Sequence, residues 1–239
     1  NEIGFRVFSQ NDEDGILLYI FSLIGMQTKK CVEIASGTPY GANTTNLICN
    51  WGWSGLLVEG DKSAVDQSNN FFKAHKDTFL YPPKIINSWI TREAVNNILS
   101  ENHFTGIIDL LSLDLDGIDY WIWDKIDVIT PRVVIVEYRY IWGKDKSVTV
   151  PYKSDFNRFD TDPSYYGASL QAFVKLARRK GYRLVGCNKY GFNAFFVKKG
   201  IGENFLLEIP ISNCFLHPRT NENLEAALKK IKKYKWLEV

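Results

Sequence analysis

The sequence predicts a doubly wound α/β domain, and three observations carry that expectation. Its apolar runs are short and continuous rather than alternating, as in Cys31–Ala35, Gly55–Glu59, Ile107–Leu113 and Arg132–Tyr138. Amphipathic helical stretches separate most of these runs. Two final extended runs, Tyr182–Cys187 and Asn193–Lys198, are joined by a Lys189-Tyr190-Gly191 turn. A strand that is apolar on both faces must be covered on both faces, so the sheet is expected to be mostly parallel with helices above and below. The closing pair is near enough for a hairpin, which makes one edge antiparallel.

The helices can be placed in turn. Asn11 or Asp12 is expected to cap the first, Glu13 and Asp14 suit the positive end of its dipole, Leu17, Ile20, Phe21 and Ile24 form one stripe, and Gly25 stops it. A loop after Ala35 leads to a helix from about Asn43 to Trp51, and Gly55–Glu59 is followed by another near Ser63–Ala74. Ile85–Ile90 is extended, and Thr91 opens a helix that turns Val95, Ile98 and Leu99 inward. Tyr120–Ile126 crosses between the strands Ile107–Leu113 and Arg132–Tyr138. Leu170, Phe173, Val174 and Ala177 mark a helix ending at Gly181, and Leu224, Ala227, Leu228 and Ile231 mark the last.

The composition agrees with a folded domain. The 239 residues are 45% hydrophobic and 23% charged, which excludes disordered and coiled-coil classes. We expect a single domain over 1–239, with an N-terminal helical segment (1–30), a core (31–199) and a C-terminal extension with its helix (200–239). No run reaches the ~18 apolar residues of a membrane helix. The net charge of +2 offers no global field for nucleic acid. The local basic excess at Lys229, Lys230, Lys232, Lys233 and Lys235 is read first as a solvated helix face, with a docking patch for an anionic surface as the alternative. Cys31, Cys49, Cys187 and Cys214 show no C-x-x-C spacing. Reduced thiols and the lack of a signal peptide point to the cytoplasm.

In such sheets ligands sit beyond the carboxyl ends of the strands, which selects the loops to inspect. The segment Glu33-Ile34-Ala35-Ser36-Gly37-Thr38-Pro39-Tyr40-Gly41-Ala42-Asn43-Thr44 leaves the first strand and opens a helix. Gly37 and Gly41 allow close backbone approach, but they are four apart with Pro39 between them, so the dinucleotide pattern G-x-G-x-x-G is missing. Glu59, followed by Gly60, ends the next strand, where a carboxylate can accept both hydroxyls of a ribose. A glycine loop and a ribose carboxylate without a pyrophosphate pattern suit S-adenosylmethionine.

A third signal is Asp114 and Asp116. Two residues apart on an extended chain, they point the same way, and Glu137 at the end of the following strand can converge on them. Three readings stay open: the aspartates cap the next helix and brace its loop, they hold Mg²⁺ or Mn²⁺ together with Glu137, or they take a proton or orient substrate without a metal. His75, His103 and His217 read as surface residues, though a folded-over segment could bring His217 to a cleft.

Taken together, Ser9-Gln10-x-x-Glu13-Asp14-Gly15, Val32-Glu33-Ile34, Gly52-Trp53-x-Gly55-Leu56-x-x-Glu59, Leu113-Asp114-Leu115-Asp116-Gly117-x-Asp119-Tyr120, Pro131-Arg132-Val133-Val134 and Glu137-Tyr138 resemble the FkbM-type S-adenosylmethionine-dependent methyltransferases. Tyr165-Tyr166-Gly167-Ala168-Ser169-Leu170 and Asn193-Ala194-Phe195-Phe196-Val197 are similar to a bacterial subgroup found with surface-polysaccharide genes. The resemblance runs from Ser9 to about Lys199. It implies a Rossmann-like class I sheet and O-methylation of a sugar hydroxyl, or a related group, in a capsule, another glycan or a natural product. It places Glu33, Gly37 and Gly41 along the cofactor, with Ala35, Ser36, Asn43, Thr44 and Asp114 among its contacts. It further places Glu59 and Gly60 at the ribose, Trp89 and Ile90 at the adenine edge, and Gln10 towards the methionine end. Ala35 stands where a glycine is common in the family.

Methyl transfer from a sulfonium to a hydroxyl needs positioning and removal of a proton. Asp114, Asp116 and Glu137 are the catalytic candidates, and also the metal candidates. Tyr138, Arg139, Tyr166 and Ser169 are the acceptor-binding candidates. Packing is the alternative for the aromatic residues, and an exposed strand end for Arg139. Arg139 would suit a phosphate- or phosphoramidate-type acceptor. The expected partner is a small-molecule or glycan acceptor, with self-association left open. A nicotinamide oxidoreductase, a non-catalytic binding domain on the same fold, and a nucleic-acid or protein methyltransferase are the disfavoured alternatives.

Overall fold

The computed structural model describes residues 3–220 and 224–239. Helix α1 (Glu13–Ile24) leads into β1 (Lys30–Ile34), α2 (Thr45–Trp51), β2 (Ser54–Glu59), α3 (Lys62–Ala74), β3 (Lys84–Asn87), α4 (Val95–Glu101), β4 (Gly106–Leu113), α5 (Asp119–Lys125) and β5 (Ile129–Glu137). There follow β6 (Val148–Thr149), α6 (Leu170–Lys180), β7 (Tyr182–Cys187), β8 (Asn193–Lys198), α7 (Leu224–Ile231) and β9 (Leu237–Glu238). The seven-stranded sheet has the order β3-β2-β1-β4-β5-β8-β7. Pairs β1–β2, β1–β4 and β2–β3 are parallel, and β7–β8 is antiparallel. Crossing outward from β1 in both directions makes the fold doubly wound, as expected. Among the described residues no helix is long and apolar enough to cross a membrane.

The chain divides into two compact units. The first contains the chain up to Leu113 with Ile126–Val134, and the second contains Asp114–Lys125 with Ile135–Val239. In the first, Leu17, Phe21, Val32, Ile34, Leu56, Val58, Leu110 and Leu111 are buried at 0–1% exposure, so continuous apolar strands do mark the core. The Asp109–Arg132 pair sits within it. Arg132 Nη1 meets Asp109 at 2.6 Å and the Gly25 carbonyl at 2.7 Å, and Nη2 donates to the Ile24 carbonyl. The arginine thereby serves the open carbonyls at the end of α1. Asp109 also accepts the backbone N–H groups of Gln27, Thr28 and Lys29, which fixes the turn into β1.

At the start of α1 the cap differs from expectation. Asp12 occupies the cap position without a side-chain cap bond. Instead Asp14 Oδ2 accepts the N–H groups of Val7, Phe8 and Ser9 and the Ser9 hydroxyl, so this buried carboxylate gathers the preceding chain. The α4 boundary also shifts: Thr91–Ala94 form a turn closed by the Thr91 hydroxyl, and regular helix begins at Val95.

In the second unit Phe173, Leu176, Phe195 and Phe196 are fully buried, with Trp123 against Phe173, Tyr182 and Phe196. Arg183, in β7, donates to the carbonyls of Lys198, Ile201 and Leu206 and so fastens the segment beyond β8. Strand β9 pairs with β6, a pairing the sequence did not show because each strand is only two residues long.

Candidate functional site

The first unit carries the residues assigned to a cofactor, apart from Asp114. Ala35 leaves β1 in the left-handed region at φ 58°, and Gly37 and Gly41 follow at φ 59° and 115°. A side chain is strained at such angles, so Ala35 occupies a position that glycine would take at no steric cost. Glu59 Oε2 accepts the Gly37 N–H at 2.7 Å, and Oε1 accepts the Asp61 N–H at 2.8 Å. The carboxylate at the end of β2 is therefore joined to the glycine loop after β1, and each oxygen keeps a second lone pair. Trp89 is 56% exposed, and its indole lies so close to Gly60 that a Cβ there would meet it at 3.0 Å. Ile90 beside it is buried. Gln10 stands against Gly41, whose N–H donates to the Phe8 carbonyl.

Glu33 lies deeper. It accepts the N–H groups of Asn43 and Thr44 and the hydroxyls of Thr44 and Ser112, and burial pushes its carboxyl up despite those bonds. Asn43 Nδ2 donates to Ser112. Glu33, Asn43 and Thr44 thus brace the loop from behind, their hydrogen bonds directed to the chain itself. By contrast, Ser36 Oγ in the loop and Thr45 Oγ1 at the start of α2 are buried without a hydrogen-bond partner. Unpaired buried hydroxyls cost about 1–3 kcal/mol each, and here they flank the glycine loop. A carboxylate and two unpaired hydroxyls fit a ligand that presents hydroxyl or amino donors.

The second unit carries the carboxylates. Asp114, Asp116 and Glu137 each offer an oxygen within 4.8 Å of the others, and all three are half-buried. Convergence was expected from strand alternation, but β4 ends at Leu113 and Asp116 has φ 52°. A left-handed turn, which Asp tolerates better than most residues, brings Asp116 back to Asp114. The loop before the next helix is tied to Asp119, the first residue of α5, which accepts the N–H groups of Leu115 and Gly117.

Two arginines face these acids. Arg158 Nη1 meets Asp116 at 2.5 Å, and its guanidinium lies 4.7 Å from the Tyr166 ring centre. Arg139 stacks on the same ring at 4.0 Å, while its Nη1 donates to the Tyr166 hydroxyl and its Nη2 to the Ser164 carbonyl. Burial raises the Asp116 carboxyl against the pull of Arg158 and Arg139. Burial, then the charges of Asp116 and Asp119, push Glu137 up to about 8. Burial also carries Asp119 to about 6 and Tyr166 to about 12. Desolvation without full pairing is the arrangement that gives a carboxyl a proton-transfer range near neutrality.

Two acceptor candidates are corrected. Tyr138 is 1% exposed, and its hydroxyl donates to the Cys214 carbonyl, so it packs the interior. Ser169 is fully buried as the N-cap of α6, its hydroxyl accepting from Ala172 and Val148. Arg139 is half-buried and engaged rather than an exposed strand end. Arg158 escaped the sequence reading because it lies 42 residues beyond Asp116 in a polar loop with no periodic signal. All four cysteines are free, with Cys187 and Cys214 hydrogen-bonded through their thiols. His217 stands against Tyr190 and accepts the Arg219 N–H.

No protein-family pattern matches the sequence, and no curated protein matches it. Solved structures do share the fold. An O-methyltransferase from Bacillus cereus in complex with S-adenosylhomocysteine is 12% identical, with a TM-score of 0.50 over 82% of this chain and 84% of that one. A magnesium protoporphyrin IX methyltransferase from Synechocystis PCC 6803 with bound S-adenosylmethionine is 10% identical, with a TM-score of 0.47 over 78% of each chain. The first likeness agrees with the architecture of this chain, a Rossmann-like, mostly parallel seven-stranded sheet with an antiparallel edge.

Proposed function

We propose that this protein is an S-adenosylmethionine-dependent O-methyltransferase whose acceptor is a sugar hydroxyl, or a related group, of a surface polysaccharide or natural product, as in the FkbM-type enzymes it resembles. The observation that carries the reading is Glu59 at the end of β2, hydrogen-bonded to Gly37 of the loop after β1. A carboxylate suited to a ribose then stands beside a glycine loop that lacks the pyrophosphate pattern. Trp89 and Ile90 offer an adenine face, Gln10 and Gly41 lie towards the methionine end, and the free hydroxyls of Ser36 and Thr45 supply polar contacts. The cofactor contributes an electrophilic methyl group and a neutral thioether leaving group.

On the acceptor side, Glu137 takes the proton of the acceptor hydroxyl. Asp114 orients the hydroxyl, and Asp116 is held by Arg158. Titration calorimetry with S-adenosylhomocysteine tests the class. Micromolar binding is expected, and the absence of binding overturns the reading.

One observation favours a second version, in which a divalent cation assists. Three carboxylate oxygens within 4.8 Å are a suitable hard donor set for Mg²⁺ or Mn²⁺. Asp114, Asp116 and Glu137 would hold it, and it would lower the pKa of the acceptor hydroxyl. Full activity after EDTA treatment removes this version; loss restored by Mg²⁺ or Mn²⁺ establishes it.

A further inference from the structure

The polar loop that supplies Arg158 has a second face. A cavity of about 250 Å³ lies along it, walled by Tyr152, Phe156 and Tyr165 and rimmed by Asn157, Asp160 and Thr161. That volume is below the ~300 Å³ lower end for drug-sized ligands and suits a single ring. The walls are not parallel: the Phe156 and Tyr165 rings are 6.2 Å apart and inclined at 51°. At that separation the two rings touch and form one continuous aromatic wall, on which a saturated ring can lay its C–H face and leave its polar edge outward. At that edge stand an amide, a carboxylate and a hydroxyl. All three are exposed, and the set offers both donors and acceptors to vicinal hydroxyls.

The cavity and the acid cluster share one wall. A Cβ on Gly117 would meet the Phe156 ring at 2.5 Å, so Phe156 closes directly over the turn that presents Asp116. The following residues, Asn157 and Arg158, face the cavity rim and Asp116 respectively. The loop is held from its other end by the segment near β9. Tyr165 donates to the Lys235 carbonyl, the Tyr234 hydroxyl meets Asp162 at 3.3 Å, and Tyr165 packs on Tyr234 and Trp236.

We propose that this cavity is a pyranose-binding subsite that holds a sugar residue of the acceptor next to the one whose hydroxyl is methylated at the acid cluster. The aromatic walls take the apolar face of the ring, and Asp160 accepts a pair of neighbouring hydroxyls. The inference rests on reading the acid cluster as the acceptor site.

Saturation-transfer NMR on the full chain tests it. The probes are methyl glycosides of glucose, galactose, mannose, N-acetylglucosamine and glucuronic acid at millimolar concentration. Wild type is expected to transfer saturation to at least one of them, and Asp160→Ala and Tyr152→Ala to reduce that signal at least fivefold. Calorimetry with S-adenosylhomocysteine on the same samples serves as the control for folding and for the cofactor site. No transfer to any pyranoside, or transfer unchanged in both variants, overturns the subsite. A protein that binds S-adenosylhomocysteine but no pyranoside loses the subsite and keeps the methyltransferase reading. One that binds a pyranoside through these residues but no S-adenosylhomocysteine keeps the subsite and loses that reading.

Discussion

Arg158 neutralises Asp116 at 2.5 Å from a loop 42 residues downstream. With Arg139 on the other side of Tyr166, the second unit brings two guanidinium groups to three carboxyl groups. If Glu137 keeps its proton at neutral pH, the charges of Asp114, Asp116, Arg139 and Arg158 balance. The protein thus supplies from its own side chains much of the cation demand that an isolated aspartate pair would place on a metal.

Glu137, pushed up to about 8, sets a pH dependence. A general base works only when ionised, so turnover should climb about tenfold per unit of pH below 8 and level off above it. Glu137→Gln should flatten this rise and lower kcat by roughly 10²–10⁴. A wild-type profile that is flat between pH 6 and 9 would remove Glu137 from proton transfer.

Glu59→Ala removes the ribose acceptor and the anchor of the Gly37 N–H. Hydrogen bonds to a charged group contribute about 1.5–3 kcal/mol, so affinity for S-adenosylhomocysteine should fall ~10- to 100-fold. Unchanged affinity by calorimetry would show that the carboxylate serves only the loop.

Asp109→Asn leaves the Arg132 guanidinium buried without its anion and should cost about 3–5 kcal/mol in denaturant unfolding. Burial alone would raise the Asp109 carboxyl, but Arg132 and three backbone N–H groups outweigh it and hold it below the usual range. Because the folded value is depressed, its contribution is complete above the ordinary aspartate pKa of about 3.9 and is lost as the pH falls through the folded value. Wild type should therefore lose stability more steeply below pH 4 than the variant does; equal slopes would count against the linkage.

Ala35→Gly tests the strained turn after β1. At φ 58° glycine relieves about 1–2 kcal/mol of steric cost and loses about 0.4–1 kcal/mol through the unfolded chain. A small net gain in the denaturant midpoint is expected, and a loss above 1 kcal/mol would mean that the methyl group packs usefully.

Much of this architecture was legible because its signals are local. Runs such as Leu56–Val58 and Val133–Val136 are apolar on successive residues, and β7 and β8 begin and end at the residues their pattern indicated. Glycine at 25 and at 181 ends a helix in each case, since both positions take a positive φ. Glu59 was legible by its place at a strand end. Asp109, Tyr138 and Arg158 were not. Each is decided by a partner far along the chain: a carbonyl for Tyr138, the guanidinium of Arg132 for Asp109, a carboxylate for Arg158. The sequence by itself determined the order of the elements and which strand ends carry acids, because periodicity and turn chemistry act over a few residues. Only the tertiary structure decided which of those acids are buried, which are paired and which stay free to move a proton, because burial and ion pairing depend on what the fold brings beside them.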